Sequence, residues 1–279
     1  MIRLDGIHLH PVKSTAVRPV LHADVEPWGL AGDRRWMVVD ATGECVTARE
    51  EHRLLTVRAD TVATDPGMSA ALRLSAPGRA PLEVEEPLGS PVPVTVHGRP
   101  LEGVAAPEEA AGWFRALLGR DDLRLVQVST PRPLNPTHGR PGEATAFADA
   151  YPVTLATTAS LRRLSDWVAE TALERGEEAP APLVMQRFRP NLVVGGDLAA
   201  FEEDGWRRVH VGPVTFRVAK PVDRCVMTTI EPTTLERGHE PIRTLARHRK
   251  WDGATWFAVQ LVPESVGAVR VGNEVEPDR

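Results

Sequence analysis

The chain has 279 residues, 33 basic side chains against 38 acidic ones, and a formal net charge of -5. That length favours roughly two domains, and the mild acidity offers neither the basic stripe of a nucleic-acid binder nor a polybasic membrane surface. Two cysteines, Cys45 and Cys225, are too few for a disulfide framework, a cysteine-rich zinc module or an iron–sulfur cluster, which takes about four thiolates.

The first hundred residues read as short strands divided by Pro and Gly. Ile2, Leu4, Ile7 and Leu9 alternate imperfectly. RWMVVD (35–40) and CVTA (45–48) flank a turn at Gly43 and predict a β-hairpin. Further strands are predicted in 54–62, 72–75, 82–86 and 93–98, the pattern of an antiparallel sheet or barrel. From Pro107, the spacing of Ala110, Ala111, Trp113, Phe114, Leu117 and Leu118 predicts a helix closed by Gly119. Residues 123–128 read as a strand. Residues 129–148 are a Pro- and Gly-rich loop, long enough to be either a linker or functional. Leu161, Leu164, Trp167, Val168, Ala172 and Leu173 predict a second helix, capped by Thr158 or Ser160 and ended at Gly176. From 191 onward strands return: LVVGG, WRRVHVG, VTFRVAK, CVMTTI, WFAVQLV and VGAVRVG. The expected fold is mainly β with a few helices (α+β), in two parts, 1–122 and 123–279. The N-terminus has no apolar leader core, and no run approaches the ~20 apolar residues of a membrane span, so a cytoplasmic location is expected.

Several short stretches could carry chemistry. Cys225 lies in KPVDRCVMTTIEP, directly after Arg224 and five residues beyond Lys220. Nearby cations favour the thiolate, the form that ligates metal or attacks; a buried thiol packed as a small hydrophobe is the plain alternative. Cys45, in a hairpin arm, is expected to be such a packed thiol. HPVKST (10–15) puts Lys13 and Ser14 at a strand end, where a cation beside a hydroxyl suits an anion. GLAGDRRWM (29–37) supplies Arg34 and Arg35 after glycines that permit a tight turn. RFRPNLVV (187–194) places Arg189 and Asn191 before a strand, and Pro190 argues for an extended Arg189. Arg offers a planar fork for phosphate, and Asn an amide for a heterocycle edge. There is no Walker loop, GxGxxG or HExxH. His8 and His10 share a strand face and read as surface or core histidines.

Taken in order, PVKS, GL-x-GDR-x-WM, VTAR, ADAYP, RFRPN, DRCVMTT and VGNEV resemble one family, the MOSC proteins with their N-terminal MOSC β-barrel domain. Within it the chain is similar to the amidoxime reducing components. The resemblance runs from about residue 2 to residue 276. It implies a MOSC N-terminal barrel-like domain packed on a MOSC β-barrel, with a molybdenum cofactor (Mo-molybdopterin) in the cleft between them. By resemblance Cys225 is the metal's thiolate ligand. Lys13, Ser14 and Arg34 hold the pterin and its phosphate from one part, and Arg189 and Asn191 from the other. Asp223 and Arg224 flank the ligand; Asp223 stands where relatives carry Ser, so it is assigned to pterin N–H donors. Asp149 and Tyr151 line the mouth, and 129–148 is a lid or substrate loop.

The implied activity is reduction of small N-hydroxylated compounds. With no cysteines for a cluster, electrons are expected from a separate ferredoxin, flavoprotein or cytochrome. The alternative implied by the sulfurase relationship is a carrier, handing over the cofactor or sulfur as a persulfide on Cys225 without N–O turnover.

Overall fold

The computed structural model describes all 279 residues. They form two compact units that the chain enters more than once. An N-terminal unit holds Leu9–Val20 and Trp28–Pro152; a C-terminal unit holds Met1–His8, Leu21–Pro27 and Val153–Arg279. The structure is mainly β with three α-helices. No helix is long and apolar enough to cross a membrane.

The N-terminal unit has an antiparallel sheet ordered Trp36–Val39, Arg124–Val128, Arg99–Ala105, Pro91–Val96. Its core gathers Met37, Val39, Cys45, Val94, Val96, Val126 and Phe147. Alternation explains the strands: Val94 and Val96 are buried, while Pro93 and His97 are exposed. A second sheet pairs Arg58–Asp60, Leu72–Ala76 and Arg79–Val84. Helix α1, Glu108–Leu118, buries the apolar face its spacing predicts and ends on left-handed Gly119 (φ 68°). Arg53 donates to Leu117 O at that end (2.8 Å), a cation where the last carbonyls need donors.

Several local expectations fail in instructive ways. The predicted 54–62 strand is a 3-10 turn, His52–Thr56, followed by the short strand Arg58–Asp60. Leu54 and Leu55 are both buried, which adjacent residues of a one-faced strand cannot achieve. The 35–40 strand does bridge Cys45, but its ladder partner is Arg124–Val128, far along the chain. The 129–148 loop closes on itself, pairing Arg132–Pro133 with Ala144–Thr145. Residues 124–152 therefore stay with the N-terminal unit.

The C-terminal unit is built on a sheet ordered Arg3–Leu9, Leu192–Gly195, Val153–Thr157, Ala254–Pro263, Val214–Asp223, Arg208–Val211, Val275–Asp278. The ladder is open; the Arg3–Leu9 and Val275–Asp278 ends approach through a bridge between Arg3 and Glu274 and backbone bonds that join Leu4 to Gly272 and Asn273 and Ile2 to Val275. Val153–Thr157 and Leu192–Gly195 are parallel, joined by α2, Thr158–Glu174. Parallel neighbours need such a crossover. Thr157 caps α2 by accepting from Ser160 N (3.1 Å), one residue before Thr158 and three before Ser160, the two predicted caps. CVMTTI is not a strand: Val226–Thr229 is a 3-10 turn that Cys225 opens. Helix α3, Ile242–His248, was not predicted.

Candidate functional site

The N-terminal unit brings PVKS, GDR, VTAR and ADAY together. Phe147 is fully buried in the core, which fixes the chain on either side of it. Lys13, 4% exposed, donates to Phe147 O at 2.8 Å and pairs with the Asp149 carboxylate. Arg49 binds the other Asp149 oxygen at 2.7 Å, and His97 Nε2 lies 3.3 Å from the first. Burial pushes the Asp149 carboxyl up, but Lys13 first, then His97 and Arg49, hold it well below the usual carboxylate range. Burial lowers the Lys13 pKa, against the pull of Asp149. Arg49, His97 and Arg132, which donates to Ala148 O at 2.9 Å, were not selected from the sequence, although VTAR contains Arg49.

The GDR loop is fixed from three sides. Arg34 N donates to His10 O (2.8 Å), Phe147 N donates to Arg34 O (3.2 Å), and the Arg34 guanidinium pairs with buried Asp33. Asp33 also accepts from His10 N (2.8 Å). Burial raises the Asp33 carboxyl; Arg34 and then His10 pull it far below its ordinary value. Gly29 (φ +119°) and Gly32 (φ +76°) make the tight turn possible. A Cβ on Gly29 would meet Pro152 O at 3.1 Å, and one on Gly32 would meet Ala63 Cβ at 2.7 Å. Cys45 is buried, its thiol raised by burial, as expected of a packed residue. Tyr151 is 5% exposed, so its ring is buried instead of lining an open mouth.

The C-terminal unit carries the second group. Side chains alternate along its end: Val222 is buried, Asp223 exposed, and Cys225 exposed. Arg224 turns inward. Its Nε donates to Phe257 O (2.8 Å) and its Nη1 to Phe188 O (3.0 Å). Its Nη2 is shielded from solvent and has no hydrogen-bond partner. Burial lowers the Arg224 pKa to about 9, partly opposed by Cys225 and Asp223. The guanidinium is therefore a charged group held beside the thiol. Asp223 accepts from Thr255 N at 3.3 Å.

Arg189 is not extended. It is left-handed (φ 51°, ψ 41°), closing the 3-10 turn Met185–Phe188. The turn is over-determined: Phe188 is buried and Asn191 is pinned, which overrides the preference Pro190 imposes. Asn191 is fully buried. Its Oδ1 accepts from Thr154 N (3.1 Å) and its Nδ2 donates to His8 O (3.1 Å), so its amide ties strands together. It positions Arg189 instead of presenting a heterocycle-reading edge. Ser14 (φ 69°) and Arg34 (φ 49°) share the left-handed backbone of Arg189. Non-glycine residues in that region cost ~1–3 kcal/mol each and cluster at ligand sites.

Comparison with known proteins gives these groups a context. The chain matches the MOSC N-terminal beta barrel domain over residues 1–121 and the MOSC domain over residues 142–276. It is 32% identical over 298 residues to mitochondrial amidoxime reducing component 2 of Rattus norvegicus, covering 98% of this chain and 82% of that protein. It is 30% identical over 290 residues to mitochondrial amidoxime-reducing component 1 of Homo sapiens, covering 96% and 80%. It is 29% identical over 266 residues to molybdenum cofactor sulfurase of Anopheles gambiae, covering 93% of this chain and 34% of that protein. The chain belongs to the MOSC family, with a MOSC N-terminal beta barrel domain preceding its MOSC domain.

Proposed function

We propose that this protein binds a molybdenum–molybdopterin cofactor and reduces N-hydroxylated compounds with electrons from a separate redox protein. The observation that carries the reading is Cys225, an exposed thiol beside an inward guanidinium that has a buried nitrogen to spare. The donor chemistry fits: a cysteine thiolate is the soft ligand such a metal takes. When bound, the cofactor supplies a metal that can take oxygen from an N–O bond and be re-reduced by single electrons.

The chain's own residues supply grip and charge. Arg224 would set a positive charge beside Cys225. Lys13, Ser14, Arg34 and Arg189 would bind phosphate and pterin polar groups, with Arg forks suited to bidentate contact. Asp149 and Asp223 would accept pterin N–H groups. Amidoxime reduction in the named relatives supports the substrate class. The proposed electron donor is a separate ferredoxin, flavoprotein or cytochrome, a reading supported by a chain with two cysteines and no dinucleotide fingerprint.

The test uses protein made in a cofactor-competent host. It should contain molybdenum and pterin and reduce an amidoxime with reduced viologen, but not with NADH or NADPH alone. Cys225→Ser should lose more activity than the ~10–100-fold typical of losing an outer-shell partner of a metal ligand, and release molybdenum; Cys45→Ser should change little. Full activity in Cys225→Ser would overturn the ligand assignment. A second reading, a persulfide carrier, draws on the sulfurase relative and on the exposure of the same thiol. It requires a persulfide mass on Cys225 in protein without molybdenum.

A further inference from the structure

The strand that pairs with the Cys225 segment ends in a hairpin that carries two indoles. Lys250–Trp251 pairs with Ala254–Pro263. The turn between them runs through Asp252 (φ 50°) and Gly253 (φ 77°). Two successive left-handed residues with Asp-Gly make a tight turn of I′ type, which fits strand twist and fixes register. Trp256 Nε1 donates to Trp251 O at 3.0 Å, and the two rings lie 5.9 Å apart at 32°. Below Trp251, the Arg249 guanidinium sits 4.7 Å from its ring and 4.2 Å from the Phe201 ring, and it is ion-paired with Asp204. Lys220 Nζ lies 5.5 Å from the Trp256 ring. Trp251 nevertheless stays 39% exposed.

This pair shares a face with the thiol. Trp256 is the register partner of Asp223, and directly opposed residues point to the same side of a sheet. Phe257 is fully buried on the other side, where Arg224 turns. Cys225, two residues beyond Asp223 with extended backbone (φ -109°, ψ 178°), returns to the face of Asp223 and Trp256. With strands ~5 Å apart and a rise of ~3.3 Å per residue, Cys225 and Trp256 lie about 8 Å apart backbone to backbone. The two segments are also tied together: Arg224 N donates to Thr255 O (2.8 Å) and Thr255 Oγ1 donates to Arg224 O (3.1 Å).

A single exposed aromatic residue needs no explanation. Two indoles in ring contact, with the ring N–H of Trp256 bonded to the backbone carbonyl of Trp251, braced by Arg249 and fastened to the segment of the proposed reaction centre, make a preorganised surface. We propose that Trp251 and Trp256 form an aromatic platform on which the planar part of the substrate rests, favouring aromatic over aliphatic N-hydroxylated compounds. The proposal rests on the reading of Cys225 as the reaction centre. The platform would act on substrate binding alone: rigid rings lose little entropy when they stack.

The experiment uses full-length, molybdenum-loaded protein with two probes, benzamidoxime and acetamidoxime. The quantity read is the ratio of their kcat/KM values. In Trp251→Leu and Trp256→Leu that ratio should fall about 3- to 10-fold, the range of one aromatic contact, through KM for benzamidoxime. Trp251→Phe should restore most of it. A second readout needs no turnover: the Trp251 and Trp256 indole N–H resonances should shift on titration with benzamidoxime and not with acetamidoxime. An unchanged ratio in both Leu variants, or silent indole resonances, overturns the platform. If neither compound is reduced by the wild type, the N–O reductase reading fails; shifted indoles then still establish the aromatic site, and silent ones dismiss it.

Discussion

Lys13 and Arg224 are both cations turned away from solvent at candidate ligand positions, yet their surroundings differ in kind. Lys13 meets a carboxylate, Asp149, which Arg49 and His97 also approach. Arg224 has its hydrogen bonds to carbonyl oxygens, of Phe188 and Phe257, lies over the same two rings, and keeps one guanidinium nitrogen unbonded. Carbonyls satisfy N–H groups but do not neutralise charge. The charge of Lys13 is therefore matched by a direct ion pair, while Arg224 has neighbouring Asp223 and Cys225 but no carboxylate in direct contact. Its lowered pKa, about 9, records the cost of the arrangement.

Removing Arg224 tests that contrast most severely. Arg224→Ala deletes two charged hydrogen bonds and should cost about 3 kcal/mol of stability, measurable by denaturant unfolding. An unchanged unfolding midpoint would show that the two carbonyl contacts of Arg224 add nothing to stability.

Asp149→Asn tests the matched side. The carboxylate is 45% exposed, so screening limits its worth and a loss of about 1 kcal/mol at pH 7 is expected. The sign follows from its depressed folded pKa. The stabilisation is fully present above the unfolded value, near pH 4, and is lost as pH falls through the folded value. Wild type and variant should therefore converge in stability toward pH 2, and a gap that persists there would contradict the pairing.

Glu203 sharpens the comparison with the smallest effect. It is fully buried, receives hydrogen bonds from Ser160 (2.9 Å) and Thr157 (3.2 Å), and has its pKa raised by burial. A raised carboxyl is the reverse case: its stabilisation is present below the unfolded value and is lost as pH rises through the folded one. Glu203→Gln should gain roughly 1 kcal/mol at pH 8 and almost nothing at pH 4, read from thermal unfolding at both.

Much of the fold was legible where periodicity is local. Helix α1, the body of α2 and most strands from 192 onward follow from spacing and from Gly119 and Gly176. What was not legible depends on distant partners. Trp36–Val39 takes its register from 124–128, and the 129–148 loop closes through a two-residue pairing too short to leave a pattern. CVMTTI has β-branched content yet turns, because Thr228 N and Thr228 Oγ1 both bond Cys225 O. At the candidate site, the motifs named the right stretches but not always the right atoms. Arg49 stood unselected inside VTAR, and Asn191 spends its amide on backbone. A motif shows which residues gather, and hydrogen-bond accounting shows which of them have anything left to offer.

The first strand of the chain completes a sheet made almost entirely of the last. Ile7 pairs with Leu192 and Arg3 with Gly195. Leu192–Gly195 is buried along its whole length. During translation the opening residues must wait for nearly two hundred others before their partner exists, and such distant closure slows folding. The same dependence governs dissection of the protein. A fragment beginning at Val153 would expose Leu192–Gly195 as a bare apolar edge, the kind of surface that recruits a second chain. The MOSC half expressed alone should aggregate, and grafting residues 1–8 back onto it is the smallest change that would cover that edge.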